Sequence, residues 1–206
     1  MIEIFDKHYR EYDNWYERNK FVYLSEIEAI KKLLPSRGIG LEVGVGTGRF
    51  ASVLGVDFGI DLSMNMLKIA RDRKVKVCLS DAENIPFKES FFDYILISVT
   101  MAFVENPGKV LQQVKKILKK NGQLVIGIIE KNSLLGKEYR RRKSHFYKQA
   151  NLFTVQKLTS LLIKNGFDCF SYYQTIFGVL ESIQEKQVAV EGVGDGSFVV
   201  IKSINK

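Results

Sequence analysis

The chain has 206 residues, of which 46% are hydrophobic and 26% are charged, and its formal net charge is +8. This composition excludes a disordered chain, and the sequence contains no run of roughly 18 uncharged apolar residues that would form a membrane helix. The acidic N-terminal stretch is unlike a signal peptide, so we expect a cytoplasmic protein without membrane association.

The predicted elements alternate between helices and strands along the chain. Residues 1–36 should form a helical cap that ends with the amphipathic stretch EIEAIKKLLP. Apolar runs then predict seven strands: GIGLEV, VDFGID, VKVCLSD, FFDYILISV, QLVIGIIE, CFSYYQTIF and GSFVVIKSI. Three helices lie among these strands: MNMLKIARDR after Ser63, a helix from Pro107 that stops at Asn121 and Gly122, and TVQKLTSLLIKNGF, which ends at Gly166.

This alternation predicts an α/β fold, with a Rossmann-like, seven-stranded, mostly parallel sheet and helices on both faces. No helix separates the last two strands, so they should form a C-terminal antiparallel hairpin. We expect residues 1–206 to form a single domain, in which the cap covers residues 1–36 and the Rossmann-like core covers residues 37–206. A basic insert near residues 132–152 should form a lid.

Three glycines follow the first predicted strand. The stretch LEVGVGTGRF, residues 41–50, has glycine at every second position, at Gly44, Gly46 and Gly48. Glycine has no Cβ and readily adopts a positive φ, so this loop can turn sharply against a ligand beyond the carboxyl end of its strand. Two cofactors fit the spacing. Residues 46–51 match the dinucleotide fingerprint, and Glu42 begins the acidic-x-G-x-G-x-G pattern of an S-adenosylmethionine loop.

Two acidic residues after the next strands help to separate these cofactors. Asp61 ends the second strand, where its carboxylate can accept hydrogen bonds from both hydroxyls of a ribose. Asp81 and Ala82 follow the third strand, where a carboxylate and a backbone N–H could bind the edge of an adenine. A dinucleotide enzyme has no general need for Asp81, so S-adenosylmethionine is favoured. In the absence of a ligand, Asp61 would cap a helix and Asp81 would lie in a solvated loop.

With these residues the chain resembles the class I S-adenosylmethionine-dependent methyltransferases, and within them the small-molecule branch that includes ubiquinone/menaquinone-biosynthesis-type enzymes. The resemblance rests on the closing hairpin and on four segments in register: LEVGVGTGRF, GIDLSMNMLKIA, SDAENIPFKESFFDYILIS and VLQQVKKILKKNGQLVIGI. It implies an enzyme that uses S-adenosylmethionine to methylate a small-molecule acceptor by in-line displacement.

The resemblance also implies roles for particular residues. The cofactor-binding set that it implies is Glu42, Gly44, Gly46, Gly48, Asp61, Leu62, Asp81, Ala82 and Ser98. Gly44 and Gly46 would approach the methionine part, Leu62 would pack against the adenine, and Ser98 would lie beside the sulfonium. Glu42 would orient the loop or reach the cofactor through water. The aromatic stretch YDNWY, residues 12–16, resembles an element that closes over the site; alternatively, it packs a helix onto the core.

The sequence does not identify the methyl acceptor, or the general base that would remove a proton from it. Tyr12, Glu105 and His145 are the candidate general bases, and the few cysteines and histidines predict no metal site. A nicotinamide-dependent oxidoreductase and a nucleic-acid-directed methyltransferase remain as alternatives. The latter rests on residues 137–148, where six basic side chains accompany one acid. We expect this segment to be a lid whose residues 140–143 face solvent or an anionic acceptor, without specific binding of nucleic acid.

Overall fold

A computed structural model describes residues 2–141, 146–148 and 150–206. Its helices are α1 (Ile2–Lys7), α2 (Tyr9–Arg18), α3 (Lys20–Lys31), α4 (Arg49–Leu54), α5 (Met64–Asp72), α6 (Pro107–Ile117), α7 (Leu134–Arg141) and α8 (Val155–Lys164). Its strands are β1 (Gly40–Val43), β2 (Phe58–Asp61), β3 (Lys76–Leu79), β4 (Phe92–Ser98), β5 (Leu118–Ile129), β6 (Phe167–Thr175), β7 (Val190–Glu191) and β8 (Phe198–Asn205). No helix within these described ranges has the length and apolar character needed to cross a membrane.

All strands join one sheet in the order β3-β2-β1-β4-β5-β8-β6-β7. Strands β1 to β5 pair in parallel, whereas β8 runs antiparallel to both of its neighbours, β5 and β6. The predicted mostly parallel α/β sheet with a C-terminal antiparallel hairpin is therefore confirmed. Because the chain order reverses between β1 and β4, a crevice opens beyond the carboxyl ends of these two strands.

Helices cover both faces of the sheet. Alternate residues of the buried strand β4 point to opposite faces, so Leu96 belongs to one apolar cluster and Ile95 to the other. The first cluster includes Ile27 of α3, and the second includes Val110 of α6 and Leu158 of α8. This arrangement explains why β4 is apolar almost throughout, as expected for a strand that is buried on both faces.

Helix α6 ends before the predicted stop at residues 121–122. Its last residue is Ile117, and Leu118 already has the extended conformation with which β5 begins. The side chain of Asn205 reaches across from β8 and donates a hydrogen bond to the carbonyl oxygen of Leu118 at 3.0 Å. This partner lies far along the chain and caps the end of α6, so the local sequence could not reveal the true boundary.

Among the described residues, the sheet has eight strands, one more than the seven that the sequence predicts. The additional strand, β7, has only two residues and pairs with Tyr173 and Gln174 of β6 at the edge of the sheet. It lies in the connection between β6 and β8 and ends at Glu191, just before Gly192, whose φ is +95°. A segment this short has too few residues to show the alternation that identifies a strand.

Candidate active site

A cavity of about 410 Å³ opens at the carboxyl ends of the central strands, where the order of the sheet reverses. The residues that follow β1, β2, β3 and β4 form one side, and the N-terminal helices form the other. Seven of the predicted cofactor residues line it: Gly44, Gly46, Asp61, Leu62, Asp81, Ala82 and Ser98. The other two, Glu42 and Gly48, do not line it.

Each glycine of the loop after β1 has a different neighbour at the position where a Cβ would project. At Gly44 a Cβ would overlap the side chain of Thr100, and at Gly48 it would lie 3.0 Å from the backbone of Ala70 in α5. At Gly46 it would lie in the cavity, 3.5 Å from the ring of Tyr12. All three have positive φ. Close packing therefore explains Gly44 and Gly48, and only Gly46 leaves its open side to the cavity.

Asp61 joins the glycine loop to the next helix. Its Oδ2 accepts a hydrogen bond from the backbone N–H of Gly46, and its Oδ1 accepts one from the N–H of Ser63, both at 2.9 Å. Burial raises the pKa of this carboxyl group, although these hydrogen bonds lower it. A carboxylate can accept about four hydrogen bonds, so Asp61 retains acceptor sites for a ligand in the cavity.

The loop after β3 has an acidic and an apolar edge. Asp81 is exposed, and its Oδ1 accepts a hydrogen bond from the N–H of Glu83 at 2.8 Å, which shapes the turn. Ala82 is buried beside it, and the side chain of Leu62 lies exposed at the cavity wall with 38% of its surface accessible. These residues offer a flat apolar contact with a carboxylate at its edge.

Within the described part of the chain, two buried polar atoms at this site have no hydrogen-bond partner. They are the hydroxyl of Ser98, which lines the cavity, and Oε2 of Glu42, which lies under the glycine loop. Burial raises the pKa of Glu42 well above its ordinary value, and a backbone hydrogen bond from Ala51 opposes this effect. An unpartnered buried hydroxyl is costly, so Ser98 is suited to bind a ligand.

Helix α2 is held against the glycine loop by a network around Asp13. This carboxylate accepts a hydrogen bond from Thr47 in the loop at 2.6 Å and pairs with Arg49 of α4 and with Arg73 after α5. Arg73 also donates to the carbonyl oxygen of Thr47 at 2.6 Å. The N-terminal helices thus form part of the site and do not only pack on the core.

The part of the cavity beneath these helices has aromatic walls. We call it the aromatic chamber, and its rings belong to Phe5, Tyr12, Trp15, Tyr16, Phe146 and Tyr147. The hydroxyls of Tyr12 and Tyr16 share a hydrogen bond of 2.8 Å. Phe146 contacts Phe5 and Tyr12, with ring centroids 5.4 and 6.0 Å apart. Both the N-terminal helices and the segment after α7 therefore enclose this chamber.

The basic segment has two different faces. Tyr139 and Tyr147 stack on each other with centroids 4.1 Å apart, and both line the cavity. Arg140 and Arg141 are exposed at the end of α7 and do not line it. Of the remaining predicted residues of this segment, Arg142, Lys143 and the candidate base His145 lie outside the described residues.

Several residues of the site were not identified from the sequence. Glu26 of α3 lines the cavity with only 3% of its surface accessible, and Thr100 packs against Gly44. Val99 has a φ of +63°, which is unusual for a β-branched residue and marks strain at the end of β4. The other two candidate bases, Tyr12 and Glu105, line the cavity. Glu26, Val99 and Thr100 belong to no motif, so no local signal identifies them.

Comparisons with known proteins agree with this arrangement. Residues 41–126 match a family described as a methyltransferase domain. An uncharacterized protein of Methanocaldococcus jannaschii is 42% identical over 204 residues, which cover 98% of both chains. The ubiquinone/menaquinone biosynthesis C-methyltransferase of Azotobacter vinelandii is 30% identical over 149 residues, which cover 64% of this chain and 55% of that protein.

A crystal structure from Thermotoga maritima has the same fold over its whole length. It is described as a SAM-dependent methyltransferase and possible histamine N-methyltransferase, and its TM-score with this chain is 0.97 at 43% identity, with 100% of both chains covered. The similarity therefore includes the N-terminal helices and the segment that encloses the aromatic chamber, as well as the core.

Proposed function

Because the chain belongs to the class I S-adenosylmethionine-dependent methyltransferases, we propose that it methylates a small molecule bound in the aromatic chamber. The enzyme uses S-adenosylmethionine as its cofactor. When bound, this cofactor supplies a methyl group on a positively charged sulfur, which is already activated for in-line displacement.

The residues at the sheet side of the cavity fit this cofactor. We assign the ribose hydroxyls to Asp61, which retains acceptor capacity beside its hydrogen bonds from Gly46 and Ser63. We assign the adenine to the apolar contact of Leu62 and Ala82, with Asp81 at its edge. The unpartnered hydroxyl of Ser98 and the open side of Gly46 support binding of the methionine part. Glu42 and Gly48 would act indirectly, by holding the loop in shape.

The proposal of a small-molecule methyl acceptor rests on the enclosed shape of the aromatic chamber. The volume of the whole cavity lies in the range that holds small ligands, and the rings of the chamber come from α1, α2 and the residues after α7. Such walls can exclude water and hold an acceptor in line with the methyl group, which are the main requirements of this reaction. The ion network around Asp13 keeps α2 at the glycine loop and so maintains the enclosure.

Nucleic-acid methylation has weaker support. The exposed Arg140 and Arg141 are the described arginines of the basic segment, and they do not line the cavity, whereas Tyr139 does. We therefore propose that the described residues between 132 and 152 form a lid through Tyr139, Phe146 and Tyr147, and that the charge of Arg140 and Arg141 does not select the acceptor.

The test is to incubate the protein with methyl-labelled cofactor and separated cell fractions of small molecules, RNA and protein. We expect label in the small-molecule fraction, with no loss in an Arg140→Ala/Arg141→Ala variant. An Asp61→Ala variant should lose most of the signal at limiting cofactor. Label confined to RNA or protein would contradict the proposed acceptor class, and label confined to RNA that disappears in the arginine variant would establish the alternative.

A further inference from the structure

A buried carboxyl group in the aromatic chamber has no partner within the described part of the chain, and no role has been assigned to it. Glu26 belongs to α3, is 3% exposed, and lines the cavity. Within the described residues it has neither a hydrogen bond nor an ion pair. Burial raises its pKa to about 8. An acid that is buried without a partner is costly to ionise, so its presence at a cavity wall is better explained by a ligand than by stability.

Aromatic side chains surround this carboxyl group. Tyr12 and Tyr16 of α2 and Tyr147 line the same cavity as Glu26. The charge of Glu26 helps to raise the pKa of each of these tyrosines. The rings of Tyr12 and Tyr16 have centroids 5.4 Å apart, and Trp15 packs edge-on against Tyr16 at 5.2 Å. Electron-rich ring faces beside a carboxylate attract organic cations and disfavour anions.

The charged side chains that line the cavity also favour a cationic ligand. Within the described residues they are one arginine and six acids, namely Arg18 and Glu11, Glu26, Asp61, Asp81, Glu83 and Glu105. Asp61 and Asp81 are assigned to the cofactor, and Glu83 accepts a hydrogen bond from the N–H of Asn106 at 2.8 Å. Glu26 is the most buried acid among those that remain. This distribution opposes the expectation of an anionic acceptor.

We propose that the methyl acceptor is a small amine whose ammonium group serves as an anchor and binds the carboxylate of Glu26 among Tyr12, Tyr16 and Tyr147. Because a protonated nitrogen has no electron pair with which to attack, a different, unprotonated atom of the same molecule accepts the methyl group. This assignment rests on the proposed function, since it names the substrate class of the same site. It makes Glu26 an acceptor-binding residue that is separate from the cofactor residues after β1, β2 and β3.

Amine binding should release a proton. With a pKa of about 8, Glu26 is mostly protonated at pH 7, and a bound ammonium group would favour its ionised form. An amine that arrives protonated should therefore displace up to one proton at pH 7. The titratable groups that interact with Glu26 are Tyr12, Tyr16, Tyr23 and Tyr147. Burial raises the pKa of each of them, so none of these tyrosines releases a proton in this range.

The experiment uses protein saturated with S-adenosylhomocysteine and follows Trp15, the single tryptophan of the chain, by fluorescence. The probes are phenethylamine and 1,4-diaminobutane, each compared with the compound in which hydroxyl replaces every ammonium group. We expect at least one amine to bind on the order of 10 to 100 times more tightly than its alcohol, the range for hydrogen bonds to charged groups. Calorimetry in buffers of different ionisation enthalpy should detect the released proton.

The variant Glu26→Gln keeps the shape of the side chain and should abolish both the amine preference and the proton release. The matched control is Glu28→Gln on the same helix, because Glu28 lies at the surface and pairs with Lys32 and Lys186. It should behave as wild type. Binding of S-adenosylhomocysteine should be the same in all three proteins, which also shows that each is folded.

Two results would overturn the assignment of Glu26. One is that no amine of the panel is preferred to its alcohol, and the other is that Glu26→Gln retains the preference. Either result with normal S-adenosylhomocysteine binding and label in the small-molecule fraction rejects only the amine class. If the wild-type protein places no label in the small-molecule fraction, the proposed function itself is rejected.

Discussion

Replacing Asp13 with Asn should weaken the attachment of the N-terminal helices to the glycine loop. The side chain of Asp13 is 15% exposed and pairs with Arg49 and Arg73 at 2.9 and 2.8 Å. Asparagine keeps the shape but removes the charge that both guanidinium groups face. Arg49 would retain Glu17, whereas Arg73 would retain only its bond to the carbonyl oxygen of Thr47.

The expected cost follows from this partly buried geometry. Removing one partner from a fully buried ion pair costs about 3 to 5 kcal/mol, and the partial exposure of Arg73 reduces this to about 2 to 4 kcal/mol of unfolding free energy. Glu17→Gln is the matched control, since Glu17 contacts the same Arg49 with a side chain that is 66% exposed. It should cost about 0.5 kcal/mol or less. Urea unfolding measures both, and equal losses in the two variants would refute the structural role of Asp13.

The difference in unfolding free energy between the wild-type protein and Asp13→Asn should depend on pH in one direction. Burial raises the pKa of Asp13, but hydrogen bonds from Arg73 and Arg49 outweigh this and hold it well below its ordinary value. A lowered folded-state pKa stabilises the protein above the unfolded-state pKa of about 3.9, and that contribution is lost as the pH falls towards the folded-state value. The stability difference between wild type and Asp13→Asn should therefore be constant near neutral pH and shrink below about pH 4. A difference that grows on acidification would contradict this.

Three further changes separate the roles of residues in the site. Asp61→Ala should weaken S-adenosylhomocysteine binding by about 1.5 to 3 kcal/mol in calorimetry, the range for hydrogen bonds to a charged group, and an unchanged affinity would mean that Asp61 only shapes the loop. Gly46→Ala should lower this affinity, because the added Cβ enters the cavity. Gly48→Ala should mainly lower the free energy of unfolding, because its added Cβ meets α5. A loss of affinity in Gly48→Ala together with a loss of stability alone in Gly46→Ala would be inconsistent with the loop geometry. Arg140→Ala/Arg141→Ala should leave cofactor affinity unchanged, and a marked loss would place these arginines in the binding machinery.

The parts of the fold that depend on local patterns could be predicted from the sequence. The helix–strand alternation, the glycine loop, and the positions of Asp61 and Asp81 after their strands all follow from spacing within short segments. The closing hairpin follows from the lack of a helix between β6 and β8. These features share one property, which is that neighbours along the chain determine them.

Contacts between distant segments could not be predicted in this way. Asp13 and Arg73 are 60 residues apart, and Asn205 ends α6 from 87 residues away. Glu26 precedes the apolar Ile27 in an amphipathic helix, so the sequence gives no sign that its carboxyl group is buried. Its place in the cavity depends on how α2, α3 and the segment after α7 meet, which is a property of the tertiary structure.

A crystal structure with bound S-adenosylhomocysteine is the most direct test of the proposed division of the cavity. It should show the ribose hydroxyls at Asp61, the adenine amino group at Asp81 and the sulfur near Ser98. The space between Glu26 and that sulfur should remain open for the acceptor. A ligand that fills the aromatic chamber, or one that contacts neither Asp61 nor Asp81, would contradict the assignment of one side to the cofactor and the other to a small acceptor.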